Sequence, residues 1–126
     1  MLSLVMVTIP KKNARAFSKQ LLEERWIACA NLISGVQSLY WWRGKIEDSS
    51  ETLVLMKCQT HQVKGLEKRI KALHPYEVPE IVSYKIDQVE KAYAAWVRAE
   101  SSGPKTPKLS VNRRNSHRIG SSRRVI

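Results

Sequence analysis

The apolar residues of this chain change their spacing several times between residues 3 and 100, and the order of those changes most constrains the fold. Runs rich in β-branched and aromatic residues, typical of strands, alternate with segments whose apolar residues recur every three or four positions, as on one face of a helix. The strand-like runs are 3–8, 27–33 continuing through 36–43, 51–58 and 81–86; the helix-like segments are 12–26, 60–73 and 87–97. The order β-α-β-β-α-β, with a helix after it, predicts an α+β domain of the ferredoxin-like kind, an antiparallel sheet with two helices on one face.

Individual residues mark the turns between these segments. Gly35 lies inside the long second strand and predicts a bulge, because glycine tolerates positive φ. Gly44 predicts a hairpin bend between the second and third strands for the same reason. Thr60 is predicted to be the N-cap of the second helix, and residues 87–90 fit a capping box that opens the last helix.

The positive charge of the chain is unevenly distributed. Lys and Arg number 22 against 11 Asp and Glu, a net charge of +11. Residues 1–100 contain 15 of the cations and all 11 acids, whereas residues 101–126 contain 7 cations and no acid. The sequence therefore predicts a mildly basic domain over 1–100 with no specific role in binding nucleic acid. Residues 101–126, poor in bulky apolar residues, are predicted to be a basic, disordered tail that is removable without loss of fold or assembly.

The apolar runs and the cysteines bear on where the protein resides. No apolar run approaches the roughly 20 residues that a membrane-spanning helix needs. The run 2–9 lacks a charged leader and a cleavage site, so we interpret it as the first strand and not as a signal peptide. The two cysteines, Cys29 and Cys58, cannot form a disulfide framework and are expected to be free thiols. These features predict a cytoplasmic protein without a transmembrane segment.

Three residues are candidates for metal binding. His74 lies at the exit of the second helix, where its imidazole either ligates copper or caps the last helical carbonyls. Cys58 and His61 form a Cys-x-x-His pair whose thiolate and imidazole suit Cu(I) or Zn, with packing at a strand end as the other interpretation. Cys29, inside a strand, is interpreted as a small hydrophobic residue.

Aromatic side chains fall on both faces of the second strand. Because residues in a strand alternate sides, Tyr40 and Trp42 face one way and Trp41 the other. Helices can cover one face, and the other needs a partner or stays exposed. We interpret this segment as a subunit interface, with a ligand platform as the alternative.

The sequence does not contain the usual patterns of an enzyme. It has neither a glycine-rich phosphate loop nor a Ser/His/Asp arrangement. Glu77 and Glu80, with His74, supply acid–base groups but no nucleophile accompanies them. We therefore expect a protein that is not an enzyme.

Several segments together resemble the CutA family of divalent-cation tolerance proteins. They are Val7–Pro10, Leu22–Arg25 with Ala28–Asn31, Ser38–Glu47, His74–Ile81, and Tyr93 with Trp96. The His-Pro-Tyr-Glu-Val-Pro-Glu run is the most specific of them, and the resemblance covers roughly residues 3 to 99.

The resemblance implies a ferredoxin-like protomer in a tight homotrimer whose strands extend across subunit boundaries. It also implies a link to copper and other divalent metals, with copper binding, metal tolerance and a response to metal ions. Animal relatives imply an anchored partner, such as acetylcholinesterase or a membrane protein. The family brings no established reaction. A PII-like small-molecule sensor, with ligand in the clefts between subunits, is the alternative, and it rests on analogy of fold.

The chain departs from the family's bacterial copper pattern at two of three positions. That pattern joins a cysteine of the first strand to two adjacent histidines, and Val7 and Leu73 occupy two of those places here, which leaves His74. Copper binding is therefore predicted to be weak and to depend on thiols more than on His74.

Overall fold

The computed structural model describes residues 1–104 of the chain. Its strands are β1 (Leu2–Ile9), β2 (Cys29–Trp42), β3 (Lys45–Gln59) and β4 (Ile81–Lys85). Its α-helices are α1 (Lys11–Glu23), α2 (Val63–Leu73) and α3 (Lys91–Glu100), and a 3-10 turn (Thr60–Gln62) leads into α2. The strands form a four-stranded antiparallel sheet in the order β2-β3-β1-β4. The predicted α+β class and the helix after the last strand are confirmed.

The core lies between one face of the sheet and helices α1 and α2. Residues alternate faces along a strand, so β1 directs Val5 and Val7 toward the helices, where both are at most 1% exposed. The other large members of this cluster come from β1, β3 and the two helices: Ile9, Phe17, Leu21, Val54, Met56, Leu66 and Ile70. Full burial of one such side chain stabilises the fold by about 1.5–3 kcal/mol. The apolar periodicity of the two helices therefore fixes which side of each faces the sheet.

Helix α3 packs on the other side of the sheet, at the end where β1 begins. Leu2 lies on the face opposite to Val5 by strand alternation, and it forms a second buried cluster with Ala28, Ala94 and Val97. The side chain of Gln59 donates hydrogen bonds to the carbonyls of Arg98 and Ser101 over 3.4 and 3.0 Å. The last helix is thus tied to the last residue of β3.

The β2–β3 hairpin reaches well beyond the rest of the sheet. Pairing of β1 with β3 stops at Ile9 and Thr52, whereas β2 and β3 remain paired from Val36 and Glu51 to the turn. We call this two-stranded projection, residues 36–51, the hairpin arm. The predicted bulge is found between Ile33 and Val36, and the turn has positive φ at Arg43 (53°) and Gly44 (78°), which suits the twist of a hairpin.

Three predicted element boundaries are wrong. The third strand begins at Lys45 and not at residue 51, because pairing with β2 holds residues 45–50 extended despite their polar composition. Thr60 is not the N-cap of α2; its hydroxyl instead lies 2.8 Å from that of Ser3. The last helix does not open at the capping box predicted over residues 87–90. It begins at Lys91 with Glu90 as its N-cap, and the hydrogen bonds that the Glu90 carboxylate accepts from the backbone of Tyr93 and Ala92 lower its pKa.

The packed part of the chain continues a few residues past the end of α3. Ser101 is fully buried, and the backbone N–H of Gly103 donates to the carbonyl of Arg25 over 2.9 Å. The predicted boundary at residue 100 stays a prediction, and the tail predicted over 101–126 lies outside the described residues from 105 onward. No helix within residues 1–104 combines the length and apolar character needed to cross a membrane.

Helix α2 is held against the end of α1 by one ion pair and one glycine. Arg69 binds both carboxylate oxygens of Glu24 at 2.8 Å, and Trp26 donates its indole N–H to the same carboxylate. The indole ring of Trp26 lies so close to Gly65 that a Cβ there would come within 2.7 Å of it. Burial alone would raise the pKa of Glu24, but hydrogen bonds from Arg69, Gln20 and Trp26 and the charge of Arg69 outweigh it and lower that pKa below 4.5.

This ion pair predicts a dependence of stability on pH. Because the pKa of Glu24 is lowered in the folded state, the stabilisation is complete above pH 4.5 and is lost as the pH falls through the lowered value. We expect Glu24→Gln to cost about 1 kcal/mol of unfolding free energy at pH 7. Urea unfolding at pH 7 and pH 3 should show the gap between wild type and variant narrowing at the lower pH. An equal gap at both pH values would contradict this account.

Candidate functional site

His74 ends α2 with both of its ring nitrogens engaged. The ring is 4% exposed; its Nε2 donates to the carbonyl of Thr8 in β1 over 2.8 Å, and its Nδ1 accepts the backbone N–H of Tyr76 over 3.1 Å. An N–H that points at Nδ1 and a carbonyl at Nε2 together define the neutral Nε2–H tautomer. Copper could reach either nitrogen only by displacing one of these hydrogen bonds. His74 thus joins α2 to β1 across the end of the core.

A chain of polar groups extends from the buried His74, through the half-buried Tyr76, to β3. The ring of Tyr76 lies 4.7 Å from that of His74, and its hydroxyl donates to Oε2 of Glu51 over 2.6 Å. Glu51 is 2% exposed, and its Oε1 has no hydrogen-bond partner among the described residues. This chain fastens the segment after α2 to the base of the hairpin arm.

Cys58 and His61, the second candidate metal pair, lie in different environments. Cys58 belongs to the core and is 0% exposed, and burial raises the pKa of its thiol to about 11. At neutral pH it is therefore a thiol and not the thiolate that soft metals bind. His61 lies exposed on the 3-10 turn. Within residues 1–104 no three His, Cys, Asp or Glu side chains come together in a way that could hold a metal ion.

Apart from Met1, the large apolar side chains with the highest exposed fractions among the described residues lie on the hairpin arm. Leu39, Trp41 and Ile46 are 68%, 71% and 62% exposed. Trp41 is the direct cross-strand partner of Ile46, and Leu39 lies two residues from Trp41, so the three share one face. We call them the arm surface. On the opposite face the guanidinium of Arg43 lies 4.8 Å from the centre of the Trp42 ring.

An open cleft of about 310 Å³ separates the end of α1 from α3. Leu22 and Trp96, 36% and 43% exposed, line it. Arg25 and Glu100 also line it and form an ion pair at 2.6 Å, and the backbone of Arg25 is left-handed, with φ 66°. Sequence reasoning missed this cleft, because its walls come from segments about 75 residues apart and no spacing along the chain indicates that they meet.

Cys29 lies beside a cation. It is half-buried, and its direct cross-strand partner is Lys57, whose Nζ lies 3.7 Å from the thiol sulfur. The strand pattern alone gives no means of finding this pair, because it does not fix the register of β2 against β3.

The described chain is thus of a definite class: an α+β domain with a projecting, apolar hairpin arm and, within residues 1–104, no cluster of ligands ready for a metal. Residues 3–100 match the family model of the CutA1 divalent ion tolerance protein. The divalent-cation tolerance protein CutA of Thermus thermophilus is 43% identical over 95 residues, which cover 75% of this chain and 92% of that protein. The chain belongs to the CutA1 divalent ion tolerance family, and the resemblance inferred from the sequence is confirmed.

Other relatives support the same placement. Human Protein CutA is 39% identical over 97 residues, and the match spans 76% of this chain but 54% of the human protein. The solved structure of the Thermus thermophilus divalent cation tolerance protein superimposes with a TM-score of 0.77 at 41% identity, over 80% of this chain and 99% of that one. The CutA1 structure from Pyrococcus horikoshii gives a TM-score of 0.76 at 40% identity, over 80% and 98% of the two chains.

Proposed function

We propose that this chain is a non-enzymatic, ferredoxin-like protomer of a cytoplasmic homotrimer that acts in divalent-cation tolerance and binds copper weakly. The family supports the general role, since its description is divalent ion tolerance. The order β2-β3-β1-β4, all antiparallel, supports the ferredoxin-like assignment.

The exposure of the arm surface is the observation that supports the proposed homotrimer. Its three large apolar side chains sit on a projection that has no helix over it, so no other part of the described chain can bury them. At about 25 cal/mol per Å² of apolar area, leaving them in water forgoes a large stabilisation that a neighbouring subunit can recover. An isolated two-stranded hairpin is itself only marginally stable, which again favours an arm that lies against another protomer.

Native mass measurement with and without copper tests this proposal in one experiment. We expect about three times the protomer mass of 14.5 kDa at low micromolar concentration, and the copper stoichiometry is read from the same spectra. A mass of 14.5 kDa for the full chain would reject the trimer.

The candidate metal ligands of this chain do not fit a preformed copper site. His74 uses both ring nitrogens, Cys58 is buried as a thiol, and within residues 1–104 no third ligand joins His61. We expect weak copper binding that depends on the thiols more than on His74. Copper titrations of wild type, of the Cys29→Ser, Cys58→Ser double variant and of His74→Ala test this. Tight stoichiometric Cu(II) binding that survives the double variant but disappears with His74→Ala would contradict it.

Two further roles depend on partners. A protein-anchoring role, for acetylcholinesterase or a membrane protein, rests on the family resemblance alone, and the human relative is almost twice the length of the matched part. The second candidate function is a PII-like small-molecule sensor with ligand in the clefts between subunits, and the open cleft between α1 and α3 of one protomer is a surface from which such a site could be built. A thermal-shift screen of nucleotides and small metabolites should raise the melting temperature if the second function is correct.

A further inference from the structure

The positive charge of residues 1–100 is concentrated on the two helices that cover the sheet. Helices α1 and α2 contain 8 of the 15 Lys and Arg residues of this part but 2 of its 11 Asp and Glu residues, a net charge of +6. The rest of residues 1–100 contains 7 cations and 9 acids, a net charge of −2. We call the exposed cations of the two helices the basic layer: Lys11, Lys12, Arg15, Lys19, Lys64, Lys68 and Lys71.

The cations are aligned along each helix. Lys11, Arg15 and Lys19 recur every four residues of α1, so about 6 Å of helix rise separates each from the next. The cations of α2 begin at Lys64 and end at Lys71, at spacings of four and three residues. Helical side chains at these spacings are neighbours on one face. Each helix therefore presents a row of positive charge to solvent.

This placement does not stabilise the helices themselves. Like charges four residues apart repel one another and destabilise a helix. Lys11 and Lys12 lie in the first turn of α1, where the helix dipole favours acidic side chains and none is present. Neither of the two ion pairs within residues 1–104 involves a member of the basic layer. An external anion would therefore relieve the repulsion that the folded chain leaves in place.

The basic layer differs from the kind of surface that joins subunits. Interface cores are depleted in charged residues, Lys among them, and enriched in aromatic side chains. The arm surface has that apolar character, whereas Leu22, at the end of α1, is the one large apolar side chain exposed on either helix. Burying the cations against another subunit would leave charges without partners, at a high cost in free energy. We therefore expect the basic layer to face solvent when subunits associate through the arm.

The chemistry of the layer favours an anionic lipid surface over nucleic acid. Six of its seven cations are Lys, a compact point charge, whereas Arg is preferred for recognition of nucleic acid. Phe17, the one aromatic residue of the two helices, is 5% exposed, so neither helix offers a ring on which a base could stack. A cluster of about four to eight Lys and Arg residues on a helix is a pattern that binds anionic headgroups. Two helices side by side over a sheet also present a broad surface, which a bilayer can contact.

We propose that the basic layer binds the surface of membranes that contain anionic lipid. The ammonium and guanidinium groups contact the charged headgroups, and no apolar side chain has to enter the bilayer. Because the attraction acts between exposed charges, it is reversible and weakens as salt shortens the screening length.

The test measures binding of the full chain to vesicles by co-sedimentation. Vesicles of phosphatidylcholine mixed with phosphatidylserine should bind the wild type, and vesicles of phosphatidylcholine alone should not. Binding should disappear in about 1 M salt, where the screening length falls to about 3 Å. The triple variant Arg15→Gln, Lys19→Gln, Lys68→Gln should bind the mixed vesicles about tenfold to a hundredfold more weakly.

A second triple variant, Lys85→Gln, Lys91→Gln, Arg98→Gln, is the matched control. It also removes two Lys and one Arg, at exposed positions outside α1 and α2, and lowers the net charge by the same amount. Residues 105–126 are unchanged in both variants. The control should bind the mixed vesicles within about threefold of the wild type, because its substituted charges lie away from the contact. Both variants should keep the oligomer mass and the melting temperature of the wild type.

Four outcomes would overturn the proposal. The first is equal binding of the wild type to both kinds of vesicle, a comparison that needs no substitution. The second is an equal loss of binding in the two triple variants, which would mean that net charge and not the basic layer holds the protein at the membrane. The third is tighter binding to duplex RNA of random sequence than to the mixed vesicles, lost in the first variant alone. The fourth is a lower oligomer mass in the first variant alone, which would make the basic layer a subunit contact.

Discussion

Trp41→Glu should convert the proposed trimer into a monomer of 14.5 kDa. Trp41 is 71% exposed in the protomer, so the substitution leaves protomer stability within about 0.5 kcal/mol of wild type. In the proposed assembly the same position is buried, and each trimer would have to bury three carboxylates without partners. A buried, unpaired charge costs several kcal/mol, which is enough to separate the subunits at micromolar concentration. Light scattering coupled to size exclusion measures the change directly.

Ala16→Glu is the matched control for this substitution. It adds the same carboxylate at an exposed position of α1, away from the hairpin arm, and should leave the mass at that of the trimer. If the trimer dissociated in both the Trp41→Glu and the Ala16→Glu variant, net charge and not the hairpin arm would control assembly. A Trp41→Glu protein that keeps the trimer mass would place the interface elsewhere.

His74→Ala should be the most destabilising of the changes considered at a candidate metal residue. Removing the imidazole leaves the Thr8 carbonyl and the Tyr76 N–H without their partner and opens a cavity beside Phe17, whose ring centre lies 6.0 Å away. The expected loss is roughly 2–5 kcal/mol of unfolding free energy. Urea unfolding at one fixed protein concentration measures it, because stability of an oligomer depends on concentration.

His61→Ala provides the comparison on the same chain. His61 is exposed, so its removal should change the unfolding free energy by no more than about 0.5 kcal/mol. If His74→Ala cost as little as His61→Ala, the hydrogen bonds of His74 would not be structural, and its ring would be available to a metal after all.

Local spacing was enough to predict the layers of this fold. The apolar residues that recur along one side of α1 and α2, and the short apolar run of β1, predict which face of each element is buried. Those buried faces form the core. The hairpin arm was underestimated because residues 45–50 are polar. Their strand conformation comes from pairing with β2, and pairing is a property of two segments that neither shows alone.

The candidate sites were harder to predict for the same reason. The sequence indicates that His74 matters, but its partners Thr8 and Tyr76 lie on different elements, and the first is 66 residues away. The contact between Cys29 and Lys57 depends on strand register, and a shift by one residue would send each side chain to the other face. Composition and spacing therefore identified the chemical groups, and only the folded chain shows which of them meet.

The hairpin arm also has consequences for the newly made chain. Within the described part of the chain, the outer edge of β3 along residues 45–51 has no neighbouring strand, and β2 is the edge of the sheet throughout. Both arm strands therefore present backbone donors and acceptors that any extended peptide can bind. Before the proposed subunits associate, such an edge, which carries Trp41 and Ile46, is a site for aggregation. Charges surround it: Arg43 and Lys45 at the turn, and Asp48 opposite Leu39. Charges beside an exposed edge disfavour pairing with strands of unrelated chains. They therefore limit aggregation through the arm until the subunits associate.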